Sequence, residues 1–402
     1  MLRAFTTSAG TTVLVAVASG LFGVIATRAL GPHERGLLAT ASVWSGVLAS
    51  IVVVGLPQAI TFHVGRHRDR ADVYTATALV IGVAGGLAFG AIGVAAAFVV
   101  GGDAGVPMAV LFAAMAPMIV AGCGVAAVLG TGAYRSWALL RPVAPLSALT
   151  AVCVVVTAGG DTAAIAACVV AGSSVLQAAV VYPVLRRRGL LGRPDLAAAR
   201  DLASYGWRQL VTGVAWLLTY KLDQLYLSVA VAPTALGLYA VGATVGEVIA
   251  PVAASAGAVM LARVAAGGHA EAKSSLRLAL TFCLAIAAPL CLLAVMFADD
   301  LLIHVFGPEF KDAADVLRIY AGGGVALAVG TVLGDTLRGL NHPLDPAKAE
   351  VGGAVSTIVL LMLLVPAYGL EGAAAASTTS YTLVAIMLAV LLTTRLRREG
   401  AV

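Results

Sequence analysis

The chain is a succession of apolar runs of 18 or more residues, each carrying few charges. A helix rises about 1.5 Å per residue, so a run of that length crosses a hydrocarbon core of about 30 Å. Of the 402 residues, 60% are apolar and 11% are charged, whereas an average soluble protein has about 25% charged. That much apolar surface cannot be hidden inside a chain of this size. A water-soluble globular fold is excluded, and the expected class is an all-α polytopic membrane protein.

The runs predict twelve transmembrane helices: Ser8 to Leu30, Leu37 to Thr61, Tyr74 to Val100, Val106 to Leu129, Trp137 to Thr157, Thr162 to Leu185, Tyr205 to Ala230, Leu236 to Leu261, Leu276 to Phe297, Ala314 to Leu337, Val351 to Pro366 and Gly372 to Thr394. The connections between them are short, and none has room for a soluble domain. Arg3 and Ala16-Val17-Ala18 resemble parts of a cleavable leader. The apolar stretch nevertheless continues to Leu30, past the core of about 7–15 residues that a secretory signal has, so it reads as a span. Cys123, Cys153, Cys168, Cys283 and Cys291 all fall inside spans and suggest neither a disulfide frame nor a metal site.

Charge sets the expected orientation. With a cytoplasmic N-terminus, twenty of the 25 cations fall on the inner side. The clusters are Arg66, Arg68 and Arg70; Arg186, Arg187, Arg188, Arg193, Arg200 and Arg208; and Arg395, Arg397 and Arg398. Outer loops hold only Arg28, Arg35, Lys311 and Arg318. This pattern obeys the positive-inside rule and predicts two cytoplasmic termini. The net charge of +5 is therefore a topology signal, with no aromatic interleaving to suggest a nucleic-acid partner.

At an offset of half the length, the stretch from Gly31-Pro32 to Gly36-Leu37-Leu38-Ala39 lies over the one from Ala232-Pro233 to Gly237-Leu238-Tyr239-Ala240. Both form the turn between the first and second spans of their half. Six spans per half is even, so the halves keep one orientation and are expected to be related by a pseudo-two-fold along the membrane normal. The expected organisation is an N-terminal six-helix lobe over 1–190, a cytoplasmic linker over 191–204 and a C-terminal six-helix lobe over 205–402.

Several segments carry a family resemblance. Ala26-Thr27-Arg28-Ala29-Leu30-Gly31-Pro32 with Gly36-Leu37-Leu38, Leu222-Asp223-Gln224-Leu225-Tyr226-Leu227 with Gly237-Leu238-Tyr239-Ala240, Phe306-Gly307-Pro308-Glu309-Phe310 continuing to Tyr320, and Pro366-Ala367-Tyr368-Gly369-Leu370-Glu371-Gly372 follow in order along the chain. Together they resemble the oligosaccharide flippases of the multidrug/oligosaccharidyl-lipid/polysaccharide exporter superfamily. The resemblance implies a two-lobed bundle that moves a polyprenyl-diphosphate-linked oligosaccharide from the inner to the outer leaflet by alternating access, for cell-surface polysaccharide biosynthesis. It also implies the bacterial cytoplasmic membrane. Two features depart from its relatives: twelve spans where the peptidoglycan-precursor flippases usually have fourteen, and Gln224 where the family commonly places Arg after the Asp.

Polar groups at membrane depth are expensive and usually face a cavity or a partner. Gln209, Thr212, Trp216, Tyr220 and Asp223 are spaced 3, 4, 4 and 3 apart, which keeps them on one face of the seventh helix. Such a stripe can line a glycan cleft, with rings stacking on sugar faces and Gln, Thr and Asp meeting hydroxyls, or it can join helices to one another. Glu247 lies about eleven residues into the eighth span, near the midplane. It suits reversible protonation coupled to transport, with H+ or Na+ as the ion. The other reading is a structural carboxylate paired across the bundle, with Lys221 as a partner. Lys221 can snorkel to the outer face or bind a diphosphate. Arg28 and Arg35 can anchor the interface or form a cationic mouth for the lipid diphosphate. Asp335 and Arg338, three apart, predict a local ion pair.

No cofactor is expected and no enzyme motif emerges. His63 and His67 are four apart but lack a third ligand for zinc, and there is no nucleotide-binding glycine loop. The alternatives to a flippase are an ion-coupled multidrug exporter of the same superfamily, a membrane glycan polymerase or glycosyltransferase, and a passive scaffold among glycan-assembly proteins.

Overall fold

The structure is a computed structural model. It describes the backbone of residues 2–53, 55–342 and 344–398, and the side chains of these except at 2–9, 208–216, 218–219, 248, 251, 258, 262, 265–267 and 398. The described chain is helical throughout, without a strand. Its elements are α1 (Leu2–Val53), α2 (Leu56–Arg66), α3 (Ala71–Val100), α4 (Gly105–Ala113), α5 (Met115–Gly130), α6 (Tyr134–Leu140), α7 (Val143–Thr157), α8 (Ala163–Arg187), α9 (Leu196–Ala230), α10 (Pro233–Gly246), α11 (Ala250–Met296), α12 (Ala298–Val305), α13 (Ala314–Gly339) and α14 (Leu344–Arg398).

Three of these are two rods joined at a glycine: α1 at Gly31 (φ 69°), α11 at Gly268 (φ 61°) and α14 at Gly369 (φ 57°). A residue with a Cβ is strained at such angles and glycine is not. Seven described helices are long and apolar enough to cross a membrane, or eight when α4 and α5, bent by 41°, count as one. The breaks at Gly31 and Gly369 divide two of those seven into two spans each. The expected seventh and eighth spans fall on α9 and on α10 plus the first rod of α11, which are not among those seven or eight.

The seventh helix begins earlier than its apolar run. Asp195 caps α9: its Oδ1 accepts the Ala197 amide at 3.3 Å and its carbonyl accepts the Ala199 amide at 3.0 Å. An acceptor side chain at this position satisfies an otherwise orphaned amide. Residues 196–204, expected as linker, are therefore the first turns of the helix. Pro142, between α6 and α7, has no amide to donate and interrupts the fifth span.

The chain forms two compact units, Met1–Val214 and Ala215–Val402, with the boundary inside α9. The first packs around Ile60, Val64, Met115, Leu185 and Leu202, the second around Ile249, Met260, Val264, Leu337 and Leu388. Each unit contains the same close helix contact. A Cβ on Gly130 would lie 2.9 Å from Val64 Cβ and 3.0 Å from the Thr61 carbonyl; one on Gly339 would lie 2.9 Å from Val264 Cβ and 3.0 Å from the Leu261 carbonyl. The expected Asp335–Arg338 ion pair forms at 2.7 Å, and Arg338 also reaches Glu350 at 3.1 Å.

Candidate polar site in the second unit

Asp223 is 1% exposed, and its oxygens are met by donors from four places in the chain. Tyr239 of α10 donates to Oδ2 at 2.5 Å, Ser377 of α14 at 2.8 Å and Tyr320 of α13 at 3.4 Å. Oδ1 accepts the amide of the next residue, Gln224, at 2.7 Å. Burying a carboxylate without partners is prohibitively costly, and each hydroxyl or amide directed at it offsets part of that cost. Among the described residues Asp223 has no ion pair. Hydroxyls do here what a neighbouring cation usually does.

Tyr320 ties this cluster to a second carboxylate. Its hydroxyl lies 3.2 Å from Glu247 Oε1 and 2.7 Å from the Tyr381 hydroxyl. Glu247 opens a single 3-10 turn, 247–249, between α10 and α11, and its Oε2 is 3.4 Å from Lys221 Nζ. The side chains of this pair are 33% and 24% exposed for Lys and Glu, so it is less enclosed than Asp223. Gly246 makes room for the ring beside it, since a Cβ there would sit 2.9 Å from Tyr320 Cδ1. The rings of Tyr239 and Tyr320 meet edge to face at 6.2 Å and those of Tyr320 and Tyr381 at 5.9 Å, an arrangement aromatic pairs favour.

Of the polar stripe predicted on the seventh helix, the side chains of Gln209, Thr212 and Trp216 lie outside the described residues. Tyr220 and Asp223 are described, and both join this cluster. One face of the Tyr220 ring is covered by Tyr381, with centroids 5.3 Å apart. Lys221 meets Glu247, the pairing that was one of its sequence alternatives. Arg28 and Arg35 belong to the first unit, on the two sides of the Gly31 break. Arg28 is exposed, and Arg35 donates from Nε to Thr27 Oγ1 at 3.1 Å. Tyr239, Tyr320, Tyr381 and Ser377 were not predicted as site residues. Their signal was available: each is a polar side chain inside an apolar span, and Tyr239 and Tyr320 fall in the segments that carry the family resemblance.

Chemically, the cluster is a hydrogen-bonded chain in which the Tyr320 hydroxyl lies within reach of both the Asp223 and the Glu247 carboxylates. Among the described residues, no group of three or more His, Cys, Asp or Glu side chains forms a metal cage.

Residues 2–264 match the family model described as polysaccharide biosynthesis protein. The chain belongs to that family. A curated relative, the "Probable low-salt glycan biosynthesis flippase Agl15" of Haloferax volcanii, is 36% identical over 87 residues, which are 22% of this chain and 18% of that protein's length. The likeness to solved structures is much longer. An inward-facing multidrug resistance MATE family transporter of the MOP superfamily superposes with a TM-score of 0.76 at 17% identity, covering 96% of each chain. The lipid II flippase MurJ, in an inward closed conformation, superposes with a TM-score of 0.75 at 11% identity, covering 98% of this chain and 88% of that one. The chain thus shares the all-helical, polytopic fold of these two structures.

Proposed function

We propose that the protein flips a polyprenyl-diphosphate-linked oligosaccharide from the inner to the outer leaflet of the bacterial cytoplasmic membrane, by alternating access and with both termini in the cytoplasm. The observation that carries this reading is the polysaccharide-biosynthesis family match over residues 2–264, and the flippase name of the Haloferax relative agrees with it. We assign the chain no bond-making or bond-breaking step. In this reading Asp223 and Glu247 couple transport to H+ or Na+. Gln209, Thr212, Trp216 and Tyr220 meet the glycan, and Lys221, Arg28 and Arg35 meet the diphosphate. The two halves act as lobes. Glycan-assembly proteins are the expected partners.

Native mass spectrometry of the protein, gently extracted from its own host, tests the proposal. The expected result is a bound polyprenyl-diphosphate glycan that dissociates chemically unaltered, its mass giving the repeat unit. A chemically altered glycan would make the protein an enzyme. Absence of such a lipid, with cationic drugs binding in its place, would make it a multidrug exporter.

A further inference from the structure

The flippase reading leaves unused a cluster in the first unit, where α2 turns into α3. There the stretch 188–205 is fastened to both helices. Asp195 accepts from Arg70 at 2.8 Å, and its amide donates to Thr77 Oγ1 at 3.0 Å. Two turns into α9, Asp201 Oδ2 accepts the Tyr74 hydroxyl at 2.8 Å. Tyr205 stacks on Phe62 with centroids 4.6 Å apart, and Ala198 and Leu202 are fully buried beneath.

His63 sits at the centre of these contacts. Its ring stacks 5.0 Å from Tyr74, meets Tyr205 edge-on at 6.0 Å and lies 6.2 Å from His67. Both ring nitrogens are shut off from solvent, and among the described residues neither has a hydrogen-bond partner. A neutral imidazole tolerates such a place at modest cost. An imidazolium would bury two unmet N–H donors and a full charge, which costs considerably more. The groups facing it are Arg66 and His67 on its own segment, Arg70 and Tyr74 at the start of α3, and Asp195, Asp201 and Tyr205 from the linker and α9. Each carboxylate is already engaged, Asp195 by Arg70 and Asp201 by Tyr74. Asp201 attracts a charged ring, yet in this arrangement neither carboxylate bonds a ring nitrogen, so meeting both donors of an imidazolium requires the stack to rearrange.

We propose that this cluster is a proton-operated latch: neutral His63 holds the first turns of α9 on the α2–α3 junction, and protonated His63 releases them. Histidine is the side chain whose ordinary charge change falls near neutral pH, so the latch responds to cytoplasmic acidification. This inference is independent of what the protein transports.

Hydrogen exchange of the full chain in lipid nanodiscs tests it, at about pH 7.5 and about pH 5.5, one unit either side of the ordinary histidine value. Rates are corrected for the intrinsic pH dependence of exchange. In the wild type, amides of 196–205 lose protection in acid by up to about tenfold, the limit reached when only the released ring takes up a proton at the ordinary histidine value. His63→Phe keeps the stack without the titrating group and stays protected at both pH values; His63→Gln serves the same comparison should His63→Phe fail to accumulate. Tyr74→Phe removes the Asp201 bond, so protection is lower at pH 7.5 yet still falls in acid. An acid response equal in the wild type and the His63 variant, or no response in the wild type, overturns the proposal.

Discussion

Tyr239 donates its phenolic proton to Asp223 across 2.5 Å, a bond that links α10 to α9 through the most enclosed carboxylate of the second unit. Tyr239→Phe keeps the ring and removes only this donor. The variant is expected to lose about 1–3 kcal/mol, the cost of leaving a buried acceptor short of a partner. Thermal unfolding in detergent measures it, and a melting temperature equal to the wild type would show that the bond holds nothing together.

In the proposed function, transport is expected to depend on the carboxylates more than insertion does. Asp223→Ala and Glu247→Gln are each expected to impair glycan export while membrane abundance stays near the wild-type level. Complementation of an export-deficient host, read beside membrane-fraction immunoblots, separates the two effects. Normal export by both variants would remove the site assignment.

Lys221 and Glu247, at 3.4 Å, form a pair whose worth a double-mutant cycle isolates. Lys221→Met and Glu247→Gln each leave a charge without its partner in a partly enclosed place. The double variant is expected to recover part of that loss, with an interaction energy of about 0.5–3 kcal/mol. Strict additivity of the two single effects would mean that the pair contributes nothing.

Asp195 predicts an acid limit at the start of α9. The Ala197 amide, with further help from the Ala198 amide and Arg70, holds its carboxyl below the usual aspartate value. A lowered folded value means that stability is present above the unfolded value of about 3.9 and lost as pH falls through the folded one. Asp195→Asn retains a capping oxygen without the charge. The gap in melting temperature between wild type and Asp195→Asn is expected to be constant near neutrality and to close below about pH 4. A gap that widens in acid would contradict the assignment.

The recurring glycine contact predicts matched sensitivities. Gly130→Ala and Gly339→Ala each push a methyl against a valine Cβ 2.9 Å away, and overpacking of this kind costs about 1–3 kcal/mol. Similar losses at both positions are expected in unfolding measurements. A large loss at one and none at the other would break the parallel.

How much of this was legible in the sequence varies by physical cause. Apolar length alone marks a span, so the helices were visible except where polarity hides one. The first turns of α9 were missed because Arg200 and Asp201 make that segment polar, while its helix is set by the Asp195 cap. Asp223 and Glu247 stood out because charge at membrane depth demands an explanation. Their partners did not, since Tyr239, Tyr320 and Tyr381 arrive from separate helices and tyrosine is common at membrane interfaces. Lys221 could be placed only once α10 and α11 were seen to bring Glu247 beside it.

The Tyr320 hydroxyl has a single proton and three neighbours: Asp223, Glu247 and the Tyr381 oxygen. It can donate to only one of them at a time. A proton arriving on Glu247 would remove one of the two carboxylates that compete for that hydroxyl and hold it on Asp223, with no carbon, nitrogen or oxygen required to move. The two charge states would then be nearly superimposable in heavy-atom coordinates. The difference would be carried by the carboxyl stretching bands, so infrared spectroscopy with Asp223→Asn as reference is the method able to see this switch change state.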